Sequence, residues 1–455
     1  MTSAARPSQA GRPTPEPEHP AQRRVLTVLV LCQALSGAGL AAGITVGALL
    51  AEQMLGSTSL AGLPSALFTG GAALGSLGIG RLCQRWGRRP GLALGYGTGA
   101  VGSLGVVLAA VADSVPLLFV SLLVYGSGTA ANLLARYAGA DLASPARRGR
   151  AVSTVLFATT FGAVIGPNLA DMTGNWAHAW SIPRLAGPFL LATAAYGAAS
   201  LALAVLLRPD PLLLARERAA EEEATAAPGS AAQAAGRTDT RGLATGTAVM
   251  ILTQLVMIAV MTMTPVHMQA HGHGTQATGL VIALHVGAMY LPSPLTGLLV
   301  DRIGRLWLAA ASGTTLLAAG ALAALAPPHS VAALATVLVL LGLGWNFGLV
   351  SGTALITDAL PVATRARTQG LVDVGISLAG ATGGAASGAV VAGAGFPALG
   401  LAGGLLAVLL TPLALLRLRA GSRSGQEDAG TDRLSKSAGT EGSSGTSAAA
   451  EPAGH

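Results

Sequence analysis

Runs of about 20 apolar residues, the length a helix needs to cross the hydrocarbon core of a bilayer, recur along this chain. From the amino end they cover 25–50, 59–80, 91–112, 115–140, 151–174 and 185–207. A charged, Ala- and Gly-rich stretch over 208–242 then breaks the pattern. Six more runs follow, at 243–267, 276–299, 307–326, 331–356, 369–392 and 396–416. The pattern predicts an all-α membrane protein with twelve transmembrane helices in two six-helix bundles, one over 23–207 and one over 243–419. The stretch 208–242 reads as a cytoplasmic linker with room for one short surface helix. Residues 1–22 are polar and Pro-rich, and 420–455 are Ser, Gly, Thr and Glu without an apolar period, so both read as disordered cytoplasmic tails. The first apolar run is too long for the core of a cleaved signal peptide and is expected to be the first membrane helix.

Arginines punctuate the loops in alternation. Arg23 and Arg24 precede the first span; Arg81, Arg85, Arg88 and Arg89 follow the second; Arg147, Arg148 and Arg150 follow the fourth. In the second half Arg302 and Arg305, Arg365 and Arg367, then Arg417 and Arg419 follow the even-numbered spans. The intervening loops carry Asp113, His271, His273 and His329, with Arg184 their one arginine. Cytoplasmic loops collect Lys and Arg, so both termini are expected in the cytoplasm and the protein in the plasma membrane.

The composition agrees. Of 455 residues 51% are hydrophobic and 10% charged, against about 25% charged in an average soluble domain. Too few polar groups remain to cover a water-facing surface, which excludes a soluble enzyme. The 62 glycines lie inside Ala, Val and Leu runs, where small residues let helices approach closely, and show no collagen period. The net charge of +7 is accounted for by the basic loops, so no nucleic-acid partner is invoked. Cys32 and Cys83 form no CxxC pair, and Lys436 is the sole lysine, so neither a metal knuckle nor a Walker loop is present. No enzyme, cofactor or resident metal is expected, and the protein is expected to be a monomer.

The halves match each other. GRLCQRWGRRP begins at Gly80 and GLLVDRIGRL at Gly297, an offset of 297 − 80 = 217. Asp141 and Asp358 share that offset, each with an arginine nine residues on, Arg150 and Arg367. Equal spacing of separate landmarks marks an internal six-helix repeat and predicts pseudo-twofold symmetry.

The loop after the eighth span, Gly297-x-x-x-Asp301-Arg302-x-Gly304-Arg305, resembles the signature loop of the major facilitator superfamily. A degenerate copy stands after the second span, at Gly80, Gln84, Arg85, Gly87 and Arg88. The resemblance implies that Asp301 holds the neighbouring arginine and the N-terminal end of a later helix while the cytoplasmic side is closed. Gln84 stands where the family places aspartate, so the latch is expected to be asymmetric, resting mainly on Asp301, Arg302 and Arg305. In the fifth span Gly162, Gly166 and Pro167 are similar to part of the glycine signature of the superfamily's antiporters, closest to its drug/proton branch; as a small-xxx-small face with a Pro kink they equally suit plain helix packing. The closing Gly pair is replaced by Ala170 and Asp171. In the fourth span Tyr125-Gly126-Ser127-Gly128 is similar to the family's fourth-helix motif, but Leu122 stands where its arginine is expected.

An ionisable side chain inside a membrane helix costs at least about 2.5 kcal/mol and is a site candidate by default. Asp373 in the eleventh span either pairs with Arg365 or Arg367 or takes part in proton coupling. Arg136 and Asp141, five apart, read as a structural ion pair or gate contact. Glu52, Asp171, His267 and His285 are the other proton-coupling candidates. His267 and His271, four apart, can share one helix face, which suits interfacial histidines, proton transfer or metal binding. Pro265, Pro292 and Pro294 interrupt the seventh and eighth spans, making them candidate cavity walls. Gln254, Asn132, Tyr290, Trp345 and Asn346 could supply amides and an aromatic wall to that cavity, or hydrogen bonds between helices.

Together these point to a transporter moving a small molecule across the bilayer by alternating access, driven by protons and directed outward. Proton-coupled or facilitated uptake of a metabolite is the alternative, and a non-transporting membrane sensor on the same scaffold is the reading from another class.

Overall fold

The computed structural model describes residues 18–55, 63–225 and 237–410. The expected tails at 1–17 and 420–455 and the middle of the linker, 226–236, lie outside the described residues.

Helix follows helix. The first bundle comprises α1 (Pro20–Leu55), α2 (Leu63–Trp86), α3 (Arg88–Val111), α4 (Val115–Ala140), α5 (Arg148–Ala179) and α6 (Gly187–Leu206). The linker contributes α7 (Pro211–Thr225), the short helix its composition allowed. The second bundle comprises α8 (Thr240–Ala270), α9 (Thr275–Tyr290), α10 (Ser293–Ile303), α11 (Arg305–Leu325), α12 (Val331–Ala359) and α13 (Arg365–Val408). Among the described residues nine helical stretches are long and apolar enough to span a membrane. The eighth predicted span is two helices, α9 and α10, divided beside Pro292, whereas Pro265 is carried inside α8 without ending it. The eleventh and twelfth predicted spans are one 44-residue run, α13, bent at Gly395, where φ is +82°. A helix of that length covers two crossings. The first span starts earlier than expected, at Pro20, inside the predicted tail.

Leucine and valine cover the outside, as lipid contact requires: Leu74, Val101, Val120, Leu201, Leu325 and Leu405 are exposed. Polar side chains turn inward and pair. In the first bundle Gln33 donates to Thr159 and to the Asn132 carbonyl, Ser36 donates to Asn132, and Tyr96 donates to Gln33. Close helix approach depends on missing side chains: a Cβ on Gly75 of α2 would collide with the Ser127 backbone of α4. Trp86 and Trp307 are exposed beside the arginine-rich loops, and Trp176 and Trp180 near the opposite end of the molecule, as aromatic girdles at two interfaces are.

The repeat is visible in the backbone. Gly87 and Gly304, 217 residues apart, both take φ values only glycine adopts readily, +97° and +109°, as they turn the chain from one helix into the next. The loops that turn there, together with those before α5 and α13, define the basic end of the molecule.

Candidate functional site

Among the described residues, most of the hydrogen bonds and ion pairs that join the two bundles lie at the basic end. Two crossings of small residues bring them together. Gly80 of α2 meets Gly370 of α13: a Cβ on Gly80 would stand 2.9 Å from the Gly370 Cα. Gly297 of α10 meets α5, where its own Cβ would strike the Ser153 hydroxyl. Ser153 and Gly370 are themselves 217 residues apart, so the two crossings are repeats of one contact.

Around each crossing sits an arginine–aspartate–arginine cluster. Asp141, at the end of α4, accepts from Arg88 Nε of its own bundle at 2.8 Å and faces Arg365 Nη1 of the other bundle at 3.8 Å. Asp358, in the last turn of α12, pairs with Arg305 Nε of its own bundle at 2.5 Å and with Arg148 of the other bundle. Every member of one cluster lies 217 residues from its counterpart in the other. They differ in wetness: all three residues of the first are buried, those of the second partly exposed. Charge-assisted pairs gain most where water is absent, so the first cluster is the stiffer clasp. Arg88 Nη2 also donates to Gln369 Oε1 at 2.5 Å.

The signature loops complete the closure. Asp301 accepts the backbone N–H groups of Gly149 and Arg150, at 2.8 and 3.0 Å, and the Arg150 side chain at 3.2 Å. A carboxylate at the positive end of a helix is favourable, and here the helix is α5 of the opposite bundle. This corrects two expectations. The helix held is an earlier one, not a later one, and the arginine is Arg150 rather than the neighbouring Arg302. Apposition of the bundles brings α5 onto the loop, while Arg302 points to solvent. Arg305 joins the latch through Asp358 and the Pro145 carbonyl. Gln84 does the same work without charge: its Oε1 accepts the N–H of Arg367 at 3.2 Å and its Nε2 donates to the Ala363 carbonyl. Arg85 lies over the Trp86 ring. From the linker, Asp210 accepts the Arg89 N–H and Arg216 donates to the Gln84 carbonyl.

Deeper between the bundles lies one more pair. Arg136 of α4 and Asp373 of α13 meet at 2.7 Å, both side chains 0% exposed. Arg136 also donates to Thr353 Oγ1 and Tyr137, lies 4.3 Å from the Tyr137 ring centroid, and donates to its own helix's Leu133 carbonyl. Tyr137 donates to Asp373. Asp373 therefore pairs with neither Arg365 nor Arg367, and Arg136 does not pair with Asp141. The backbone turns Asp373 toward the facing bundle, whereas Asp141 at its helix end reaches Arg88 and Arg365.

The other candidates are scattered. Trp345 donates through Nε1 to Gln254 Oε1 at 2.8 Å, and Tyr290 stands edge-on to it at 5.6 Å. Asn132 and Asn346 are buried within their own bundles: Asn346 donates to Met289 and Ser293 and accepts from Thr296. His285 is buried between α9 and α12, its Nδ1 against the Leu338 carbonyl at 2.7 Å. His267 stacks on Phe396 and lies 4.3 Å from the His271 ring, with His329 beyond, all at the end opposite the arginines. Among the described residues no three His, Cys, Asp or Glu side chains converge as a metal site. Asp171 is 97% exposed, with Arg184 at 3.9 Å. Gly162 is buried in α5. The side chains of Glu52, Gly166 and Pro167 lie outside the described residues.

Residue identities alone did not disclose Arg136 and Tyr137 as partners of Asp373, or Thr353 as a further acceptor for Arg136. The clusters were within reach, because Arg88 and Arg305, and Arg148 and Arg365, keep the 217 offset.

The sequence matches the model of the Major Facilitator Superfamily over residues 29–291 and 246–444. The chain belongs to that superfamily: it is an integral membrane transporter, not an enzyme, and acts in the bilayer on a small-molecule substrate. It is 55% identical over 400 residues to the MFS-type transporter YdeG of Bacillus subtilis, itself uncharacterized, covering 88% of this chain and 93% of that one. The riboflavin transporter RfnT of Brucella anthropi is 30% identical over 78% of this chain and 85% of its own length. The fold is shared with the human organic anion transporter MFSD10, with a TM-score of 0.69 at 17% identity over 87% of this chain and 100% of that one.

Proposed function

We propose that this chain exports a small molecule across the plasma membrane by alternating access, coupled to inward movement of protons. In this reading the basic end is cytoplasmic, as the arginine alternation favours. Both tails and the 208–242 linker lie on that side, the bundles at 23–207 and 243–419 are the moving bodies, and the monomer is the working unit. The conformation is then closed to the cytoplasm.

The observation that carries the coupling is the division of partners around Asp373. Its carboxylate is held by Arg136 and Tyr137, both of the opposite bundle. Arg136, by contrast, keeps Tyr137 and the Leu133 carbonyl in its own helix when the bundles part. Stranding a buried charge by removing its partner costs about 3–5 kcal/mol. Opening the cytoplasmic side therefore strands Asp373 and not Arg136, and a proton on Asp373 removes that cost. The charged and titratable groups acting on Asp373 are Arg136, Tyr137 and, further off, Arg88. Protons taken up from outside unlock the cytoplasmic gate, and release inside restores the lock.

The Gly162-to-Pro167 stretch supports export. Uptake of a metabolite is the second reading, favoured by the loss of the closing Gly pair at Ala170 and Asp171 and by a relative named as a riboflavin transporter. Flux into proteoliposomes across a substrate panel with an imposed pH gradient tests the proposal. Wild type is expected to respond to the gradient and Asp373→Asn to lose the response, while His267→Ala keeps it. Equal behaviour of wild type and Asp373→Asn with and without the gradient overturns the coupling.

A further inference from the structure

Above the Arg136–Asp373 lock, toward the end away from the arginines, two side chains of the second bundle, Gln254 and Tyr290, leave polar atoms unused. Gln254 of α8 is half-buried; its Oε1 is taken by Trp345 Nε1 at 2.8 Å, and its Nε2 has no partner among the described residues. That single bond fixes the amide, so Nε2 is the end left to donate. Trp345 is 4% exposed and stands behind the amide as a packed wall. Tyr290 is half-buried, meets the indole edge-on at 5.6 Å, and makes no hydrogen bond through its hydroxyl among the described residues.

These atoms converge beside the lock. Gly380 lies seven residues beyond Asp373 on α13, hence on the same helix face, about 10 Å further along. A Cβ at Gly380 would stand 3.5 Å from Gln254 Nε2, so glycine there keeps the amide uncovered. Tyr290 is near enough to Arg136 for the guanidinium to act on its hydroxyl. An aromatic edge, an oriented amide donor and a phenol thus stand together on the second bundle, the phenol within reach of Arg136 of the first. An aromatic edge beside an amide donor suits a flat ligand with acceptors on its rim.

The geometry points to a binding subsite for planar heteroaromatic molecules carrying ring carbonyls. Gln254 Nε2 donates to a ring carbonyl, Tyr290 provides the aromatic edge and a second polar contact, and Trp345 is a positioning residue that sets the amide. The inference rests on the transport reading for its place in the cycle, but the subsite is defined by binding alone.

The test uses the purified full-length protein in nanodiscs and three probes: riboflavin, lumichrome and xylose. Equilibrium binding is read from quenching of flavin fluorescence and from calorimetry. Riboflavin and lumichrome are expected to bind and xylose not to. Gln254→Ala and Trp345→Phe, which keeps a ring but removes the N–H, are expected to weaken lumichrome binding about 3- to 10-fold, the worth of one neutral hydrogen bond. Gly380→Leu is expected to abolish it by filling the space. Failure of both flavins to bind wild type overturns the ligand class. Binding unchanged in Gln254→Ala, Trp345→Phe and Gly380→Leu overturns the site. Flavin binding that follows these substitutions without any flavin flux in proteoliposomes leaves the subsite standing and removes flavins as the exported cargo instead.

Discussion

Arg136 and Asp373 form a solvent-free ion pair across the bundles, and the internal repeat offers no second copy of it. The repeat counterparts are Thr353, which accepts a hydrogen bond from Arg136 at 3.0 Å, and Leu156. The contact between the bundles is thus built from duplicated clasps around one unduplicated charge pair. Duplicated clasps suit a structural hinge, whereas the single pair can carry a signal, because nothing on the other side of the pseudo-twofold axis compensates its titration.

Removing one charge of that pair is expected to cost more than removing both. Arg136→Met alone leaves the Asp373 carboxylate buried without its cation and should lower stability by about 3–5 kcal/mol, whereas Asp373→Leu should cost less, because Arg136 keeps Tyr137 and the Leu133 carbonyl. The double variant should recover most of that loss while remaining unresponsive to a pH gradient. Thermal unfolding in detergent, read for all four proteins, checks the order.

The two signature loops are expected to differ in the charge they contribute. Asp301→Asn exchanges charge-assisted bonds to the start of α5 for neutral ones, a loss of about 1 kcal/mol or more in closure. Gln84→Glu strengthens acceptance from the N–H of Arg367 but gives up the donation to Ala363 and sets an oxygen against that carbonyl, so it should weaken closure. Distances between spin labels at Arg81 and Ala363, both exposed at the basic end, read the shift in each variant.

A wedge at the small-residue crossing should hold the basic end open. Gly80→Leu has no room against Gly370 and the Ala366 carbonyl, yet the contact lies between the bundles rather than inside one. The variant is expected to fold with near-normal stability but to populate the conformer open at the basic end. Accessibility of a cysteine placed at Ser76 to a water-soluble maleimide should rise accordingly.

The paired turns separate strain from crowding. At Gly304 an added Cβ meets nothing closer than Trp307 at 4.0 Å, so Gly304→Ala costs only the backbone term, about 1–3 kcal/mol. At Gly87 the same methyl group also strikes the Asp210 carboxylate, so Gly87→Ala should cost more. Paired unfolding measurements give the difference.

The architecture was legible because its determinants are local and periodic: apolar length sets a span, arginine position marks a face, and the 217 offset marks the repeat. The gate was half legible. Gln84 was expected to leave its loop without a carboxylate, and the structure shows it exchanging neutral hydrogen bonds with Arg367 and Ala363 instead. The partners of Asp301 and Asp373 were misread because each was sought nearby in sequence, whereas closure presents Arg150 and Arg136 from 151 and 237 residues away. Pairing across a moving interface leaves no periodic trace. Asn132 and Asn346 show the same limit, since an amide in an apolar run reads alike whether it faces a cavity or a neighbouring helix.

The measurement bearing most directly on the central claim is the distance distribution between labels at Arg81 and Ala363 as a function of pH, in wild type and in Asp373→Asn. Acidification is expected to lengthen the distance in wild type, as protonated Asp373 releases Arg136, while Asp373→Asn stays at one distribution throughout. A wild type that ignores pH, or an Asp373→Asn protein that responds just as wild type does, contradicts the account.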